Sequence, residues 1–528
     1  MLTFFVIVPI LIAVFLYLVP YTKFARAVAI IAQAGLTVAA GYLFMLTREQ
    51  TVTTAIGDYG ILGITLWADE LSAAFVLLGV FIFLMAAVYS YRNTKSNLFW
   101  FLFFIWEAAL IGIFLTGDMF NMFVLVEVGT VAVSILIMYN RKSRSMYDGM
   151  IYLMINVIVV QFYLLGMGYV YRLTGVLDMT VAGEALSTLD REQLILPYAL
   201  VMTFVGLKCA VLPLFSWLPK AHGTPGASAA VSAVLSGLHI KTGVYMFLRF
   251  QQMFEGVAST EFFMTVGILT AIVGVVMSLA QTNIKLILAY STVAQVGLII
   301  AGFSFDDYYG YSFAGSLYHM VTHAIFKAAL FLGTGVLIQT YGTKDIRKIR
   351  GIGKLLPGTS FAKALAILGI IGMPLFSGSV SKYFLGQGAV GFLNIVMILI
   401  NLGTITIFIK YSSMFFGKPS EEATVTRSDW WQQVPLFILG GMCLALGIFG
   451  ENLIYHMFNM DKAIDLLGYL EKSGIFVVSA VVGFCIYKYW AKDSAWLDKV
   501  KRFELSFKGM VAAMGVFFGA LVIALLVL

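Results

Sequence analysis

The chain has 528 residues, 61% of them hydrophobic and only 12% charged, and its mean hydropathy is +0.94. A soluble domain carries about 25% charged residues, so this balance excludes one and implies an integral membrane protein. A net charge of +7 and a pI near 9.0 would suit a nucleic-acid partner, but the bases are confined to short loops between apolar runs, so they are a topology signal instead.

Apolar runs long enough to cross a bilayer predict about sixteen spans. They lie near 3–20, 25–46, 70–90, 98–117, 119–139, 149–171, 194–217, 228–249, 262–281, 286–304, 312–340, 361–386, 389–416, 433–450, 473–490 and 509–528. The runs are continuous, whereas barrel strands alternate over about ten residues. The expected fold class is therefore an all-α polytopic membrane protein of about 14–16 transmembrane helices. The first run lacks a basic start and a small-residue cleavage site, so it is expected to be retained as a span and not removed as a signal peptide.

Placing the N terminus outside puts Lys23 and Arg26, Arg92 and Lys95, Arg141, Lys142 and Arg144, the Lys344 to Lys363 cluster and the Lys488 to Lys508 cluster on one face. The positive-inside rule then predicts a multi-pass protein of the cell inner (cytoplasmic) membrane with both termini outside. Between Asp493 and Lys508, Trp496, Val500 and Phe503 fall on one stripe, which suits either a short interfacial helix or a charged connector.

Seven charged residues interrupt these spans: Glu107, Glu127, Lys208, Lys241, Lys327, Lys382 and Lys410. Each costs roughly 2.5–3.5 kcal/mol near a helix centre, about 20 kcal/mol in all unless paired, hydrated or neutralised. Function is expected where that cost is met. His319, His323 and Lys327 are four residues apart and form one stripe over two helical turns; imidazoles and an amine on one face suit short proton hops. His239 alone fits either a satisfied core histidine or a relay member. Glu127 and Lys208 are the candidate ion pair, because opening and closing such a pair changes how firmly the lysine holds its proton. Asp118 suits an interfacial cap. Lys220 and His222 fit either entry groups or solvated loop charges.

The tetrapeptide Pro-Leu-Phe-Ser occurs at Pro213–Ser216 and again at Pro374–Ser377, each time near a buried lysine. The copies are five spans apart, an odd number, which reverses orientation and predicts an inverted repeat. Proline removes a helical N–H and clashes one turn back, so Pro213 and Pro374 are expected to break spans 7 and 12. The expected division is 1–97 for helices 1–3, 98–250 for the first repeat (helices 4–8), 262–416 for the second (helices 9–13), and 417–528 for C-terminal helices with the short interfacial segment.

Three single cysteines, Cys209, Cys443 and Cys485, cannot supply the four thiolates of an iron–sulfur cluster. No phosphate loop, dinucleotide fingerprint or zinc spacing is present. No cofactor, metal or catalytic site of the chain's own is expected.

Several segments carry a family resemblance. They are Thr116-Gly117-Asp118-Met119-Phe120-Asn121 followed by Glu127, Trp217-Leu218-Pro219-Lys220-Ala221-His222, Ser236-Gly237-Leu238-His239-Ile240-Lys241-Thr242-Gly243-Val244-Tyr245, Lys285 to Gln295, His319 to Phe331, and Gly378-Ser379-Val380-Ser381-Lys382. Over about 100–416 the chain resembles the antiporter-like subunits shared by respiratory complex I, Mrp-type cation/proton antiporters and membrane-bound hydrogenases. The resemblance implies two inverted five-helix units with broken helices 7 and 12 and a proton relay along the midplane. It gives Glu127 and Lys208 to the first pair, Lys241 to the connection, His323 and Lys327 to the second centre and Lys382 to the exit. It also implies work inside a larger complex. Lys220 stands where many members have an aspartate, Lys410 stands where an arginine or another polar group is common, and two spans exceed the usual fourteen.

The function expected is a proton-translocating, antiporter-like subunit, its relay comprising Glu127, Lys208, Lys241, His319, His323, Lys327 and Lys382 with Glu107, His239 and Lys410, coupled to sodium as in Mrp-type antiporters. The alternative is the ion-pumping subunit of a redox-driven complex. Expected partners are other membrane subunits, including further antiporter-like ones, iron–sulfur or nickel–iron subunits in the redox-driven case, and membrane lipid, with no nucleic acid. A stand-alone solute transporter and a structural or quinone-holding anchor are the competing classes.

Overall fold

In lipid a backbone satisfies its N–H and C=O groups only by coiling on itself or closing a barrel, and these apolar runs coil. The computed structural model describes residues 1–19, 23–57, 63–92, 96–305, 310–419 and 429–527. Lys95 and the ends of the first and last expected spans, Pro20 and Leu528, lie outside the described residues. Among the described residues thirteen helices are long and apolar enough to cross a membrane. Three shorter or more polar helices, Phe4–Leu18, Arg191–Lys208 and Pro357–Ile371, take further places where spans are expected.

The chain opens with α1 (Phe4–Leu18) and α2 (Lys23–Leu46). A β-hairpin follows, β1 (Val52–Ile56) antiparallel to β2 (Ile64–Ala68) with Val52 opposite Ala68. This small two-stranded sheet is an addition to an otherwise helical membrane fold. Its alternation is too short to stand out beside the spans, and it is held by Gly117 N–H donating to the Thr65 carbonyl at 2.9 Å. Then come α3 (Glu70–Ser90), α4 (Asn97–Leu115), α5 (Met119–Met138), α6 (Ser143–Thr174), the short α7 (Met179–Leu186), α8 (Arg191–Lys208), α9 (Trp217–Gly223) and α10 (Ala229–Val234). A π-turn at Leu235–His239 leads into α11 (Ile240–Met253). Next are α12 (Thr260–Ala280), α13 (Ile284–Phe303), α14 (Tyr311–Tyr341), α15 (Ile352–Leu355), α16 (Pro357–Ile371), α17 (Ser377–Leu385) and α18 (Phe392–Ser412). The chain closes with α19 (Trp430–Ile448), α20 (Gly450–Phe458), α21 (Leu466–Ile486), α22 (Ala495–Val500) and α23 (Phe507–Val527).

Short polar residues start many of these helices. Asp69, Asp118, Ser259 and Asn283 each accept an N–H of the first turn, so Asp118 is the cap of α5. The longest expected connection, near 172–193, contains α7, capped by Asp178. One end of the bundle gathers basic loops: the Ile284 N–H donates to the Lys344 carbonyl at 2.9 Å, Lys344 Nζ to the Gly223 carbonyl at 3.2 Å, and Lys501 Nζ to Thr282 Oγ1 at 2.7 Å. We call this the basic face. The opposite face carries the hairpin and the buried Arg249, which pairs with Asp69 at 2.7 Å and lies over Trp67 and Tyr245.

Both prolines lie in unwound segments, Pro213 between α8 and α9 and Pro374 between α16 and α17. Ala210 and Leu375 take positive φ of 52° and 71° there. The freed backbone groups find side-chain partners: Leu212 N–H donates to Thr270 Oγ1 at 2.8 Å, and Trp217 Nε1 donates to the Leu207 carbonyl at 2.8 Å. At the second break Leu375 N–H donates to the Tyr469 hydroxyl at 3.1 Å, and that hydroxyl is 2.6 Å from Ser379 Oγ. Irregular backbone is thus satisfied by protein, as burial in a bilayer requires.

The C-terminal helices wrap this core. α21 packs on α18, α22 lies against α12, and α23 returns along α8 and α6. Of the expected interfacial stripe, Trp496 and Val500 fall in the six-residue helix α22, with Trp496 exposed and Leu497 buried, and the exposed Phe503 lies beyond its end.

Candidate functional site

Most of the expected relay residues lie on α5, α8, the π-turn, α11, α14 and α17; Glu127 and Lys382 are half-buried and the others are buried. Lys208, the last residue of α8, is buried and donates to Asn156 Oδ1 at 2.6 Å and Thr130 Oγ1 at 3.2 Å. Glu127 makes no ion pair with it, which corrects the expected direct contact. The carboxylate is within electrostatic reach of the ammonium, and its buried Oε1 has no hydrogen-bond partner. Thr130 lies three positions after Glu127 on α5, and it is the threonine that reaches the lysine. The neutral oxygens of Asn156 and Thr130 take the place expected of the carboxylate, and no periodicity singled them out.

His239 ends the π-turn. Trp106 Nε1 donates to its Nδ1 at 3.3 Å, which leaves the hydrogen on Nε2, 3.1 Å from the Tyr152 hydroxyl. Lys208, His239 and Trp106 share a cavity of about 10 Å³, close to what one water needs. Two residues on, Lys241 donates to the Ser236 carbonyl at 2.7 Å and touches His323 Nδ1. A π-turn adds a residue to the helical turn, and here it frees the Ser236 carbonyl to receive that ammonium.

His319, His323 and Lys327 line one face of α14, which is almost wholly buried. Lys327 donates to the Leu288 carbonyl at 2.9 Å and Ser291 Oγ at 2.5 Å. His323 Nε2 is buried without a partner. His319 Nε2 lies 3.0 Å from Gln295 Oε1 and its Nδ1 2.8 Å from Ser381 Oγ. The two imidazole centroids are 6.2 Å apart. Two unit charges at that distance repel by about 3 kcal/mol at an effective dielectric of about 20, so the stripe favours carrying one proton at a time.

Lys382 donates to the Ile370 carbonyl at 2.7 Å, at the open end of the α16 half-helix, and to Asn401 Oδ1 at 2.8 Å. A cation suits that negative dipole end. The lysine borders an open cavity of about 100 Å³, whose rim includes Lys472 and Tyr469 of α21. Lys472 donates to Asn394 Oδ1 at 3.1 Å.

Two expected relay members lie elsewhere. Glu107 is buried, but it faces α2 and α3, where Gln33 Nε2 donates to both the Val80 carbonyl and Glu107 Oε1. Its neighbour Trp106 faces His239, because successive helical residues turn by about 100°. Lys410 sits in the last turn of α18 and donates to the Leu279 and Gln281 carbonyls, both at 2.6 Å; it caps the end of α12.

Three further bases, none of them among the expected relay members, are buried. Lys285 donates to the Ala227 carbonyl at 2.6 Å. Lys363, grouped with face bases by sequence, is fully buried and donates to the Leu330 carbonyl, Thr334 Oγ1 and the Tyr411 hydroxyl at 3.2, 3.1 and 2.9 Å. His222 stacks on Phe331 at 4.6 Å, with both ring nitrogens lacking partners and with Lys285 and Lys327 within electrostatic reach. Each of the three is separated in sequence from the residues it meets, and only the sequence position of the spans could have pointed to Lys363. Lys220 is held by Glu504 and is no free loop charge.

Among the described residues no cluster of three or more His, Cys, Asp or Glu side chains could hold a metal. The arrangement is a set of lysines and histidines, joined by hydroxyls, amides and carbonyls, between two broken helices. Such a row can pass protons by short hops.

Residues 116–409 match the family described as NADH:quinone oxidoreductase/Mrp antiporter, TM. The chain is 27% identical over 487 residues to a Na(+)/H(+) antiporter subunit of Alkalihalophilus pseudofirmus, covering 88% of this chain and 97% of that one. It is 30% identical over 421 residues to a subunit of the NADH-quinone oxidoreductase of Desulforudis audaxviator, covering 74% and 83%. A chain of the Mrp complex from Dietzia sp. DQ12-45-1b superposes with a TM-score of 0.79 at 22% identity, over 95% of this chain and 99% of that one. With more than half its length inside the family's own boundaries, this protein belongs to the NADH:quinone oxidoreductase/Mrp antiporter transmembrane family.

Proposed function

We propose that this chain is the proton-translocating, antiporter-like subunit of a multisubunit membrane complex. Protons move between Glu127 and Lys208 at one break, through His239 and Lys241, along Lys327, His323 and His319, and out at Lys382. The observation that carries this reading is the row of buried and, at Lys382, half-buried ammonium and imidazole groups held by neutral oxygens, with no counter-ion in contact among the described residues. A buried charge that serves packing alone is met by an opposite charge, whereas groups that must give up a proton are better held by acceptors that bind them in either state.

The two units, 98–250 and 262–416, act as an inverted repeat about this row. The basic face lies in the cytoplasm, both termini lie outside, and the membrane is the inner one; the positive-inside rule supports that orientation. Coupling to sodium in the Mrp manner is the first reading, supported by the match along nearly the whole length of a Na(+)/H(+) antiporter subunit. A redox-driven complex is the second, supported by 30% identity to a subunit of an NADH-quinone oxidoreductase. The partners are further antiporter-like and small membrane subunits in the first case, with iron–sulfur or nickel–iron subunits added in the second.

In the reconstituted complex, Lys208→Ala and Glu127→Ala are expected to abolish proton movement while the complex still assembles. Normal pumping in both variants overturns the relay. Mass spectrometry of what co-purifies from native membranes separates the two driving reactions: redox subunits favour the second reading, and only small membrane subunits favour the first.

A further inference from the structure

On the basic face, an open cavity of about 340 Å³ leads into the bundle below the first helix break. Its wall includes Arg144, Asp148, Lys220 and, from the C-terminal extension, Lys501, Arg502 and Glu504. Glu504 bridges Arg144 and Lys220, and Arg144 Nε is 3.0 Å from Asp148 Oδ2. Arg144 and Glu504 are exposed, whereas the Asp148 side chain is 2% exposed and its Oδ1 has no partner. A helix-stabilising surface ion pair has no need to bury its acid or to leave an oxygen unmatched.

Asp148 begins a ladder. Asp148, Tyr152 and Asn156 are four residues apart on α6, so they follow one stripe that climbs about 12 Å, and all three are buried. The Tyr152 hydroxyl contacts His239 and lies beside Thr130. Thr130 Oγ1 and Asn156 Oδ1 are the two side-chain oxygens that hold Lys208 Nζ. The stripe therefore begins at the cavity and ends on the first lysine of the relay.

We propose that Asp148 is the proton-loading carboxylate of an inlet that runs from the basic face along α6 to Lys208. Oδ1 takes a proton from water in the cavity. Asp148 releases it through water to the Tyr152 hydroxyl, which passes its own proton by way of Thr130 to a neutral Lys208, and Asp148 returns to the carboxylate. Asn156 holds Nζ on this side of α8. The inlet rests on the proposed relay, and nothing in the family comparison assigns Asp148.

The test uses the intact complex in proteoliposomes, with proton movement followed by a pH-sensitive dye and assembly by co-purification. Lys208→Ala reports on the relay itself and is expected to be inactive. Asp148→Asn is expected to slow transport at least tenfold, and Asp148→Glu to restore it with a displaced pH profile. Wild-type rate and pH profile in Asp148→Asn beside an inactive Lys208→Ala overturn the inlet alone, whereas wild-type rates in both overturn the relay as well. If Asp148→Asn disturbs assembly, Tyr152→Phe, which lacks only the hydroxyl, carries the same expectation, and wild-type transport in that variant overturns the inlet.

Discussion

At the residue scale, the surprise is how few of the buried charges are paired. Glu127 was legible because a carboxylate inside a span is expensive, but its geometry was not: the sequence gives no hint that Asn156, a neutral side chain, stands nearer to Lys208 than the acid does. An asparagine in an apolar helix draws no attention, since its cost is small beside that of a charge. Replacing it with leucine, of similar size, leaves the ammonium with Thr130 as its one side-chain partner. Asn156→Leu is expected to destabilise the protein by about 1–3 kcal/mol, the cost of an unmet buried hydrogen bond, and to slow transport; thermal unfolding in detergent and the proteoliposome assay measure the two effects. Unchanged values for both remove Asn156 from the site. Glu107 shows the opposite failure, a charge correctly placed in a span that faces Gln33 and not the relay.

At the element scale, the helix breaks were predictable and their support was not. Proline in a span predicts a break, but only packing shows that Thr270, Trp217 and Tyr469 satisfy the released backbone groups. The first break is also pressed closely by α11. A Cβ added at Gly243 would stand 2.5 Å from the Lys208 carbonyl carbon and 2.7 Å from the Cys209 nitrogen. Gly243→Ala must therefore push α11 away from the end of α8, at about 1–3 kcal/mol for an overpacked core, and displace Lys208. It is expected to lower both the unfolding temperature and the transport rate, while Gly441→Ala, where the added carbon meets nothing within 4 Å, changes neither. Equal behaviour of the two variants sinks this account. The π-turn before Lys241 left no trace in the hydrophobic pattern, because every residue of that segment is buried and there is no polar face to show a change of period.

At the scale of the molecule, the C-terminal extension joins parts that the core alone leaves apart. α21 contributes Lys472 and Tyr469 to the cavity beside Lys382, and residues 501–505 cross the basic face to line the cavity beside Asp148. Glu504 fastens that crossing to Lys220 of α9 and Arg144 of α6. Burial pushes the Glu504 carboxyl up, but the Lys220 ammonium and the Arg144 guanidinium outweigh it and hold the group below the usual glutamate range, with Asp148, Lys501 and Arg502 on the same wall. A lowered value means the clasp is whole above the ordinary glutamate range and is lost as pH falls through the lower one. Limited proteolysis of the 491–506 connection is expected to be slow and constant from about pH 8 to pH 5, and fast at every pH in Glu504→Gln. Equal cleavage of the two proteins would show that Glu504 fastens nothing.

What the sequence determined by itself was the membrane class, the series of spans, the two breaks and the stripe of His319, His323 and Lys327. Each follows from local rules: burial of apolar length, the missing N–H of proline and the helical repeat. Tertiary structure decided which charges face one another. Lys241 meets His323, Lys382 meets a freed carbonyl, Lys363 and His222 are drawn inside, and Glu107 and Lys410 are turned elsewhere. Those outcomes depend on the rotation of each helix about its own axis, and in a span apolar on every side the sequence carries no polar face to fix that rotation.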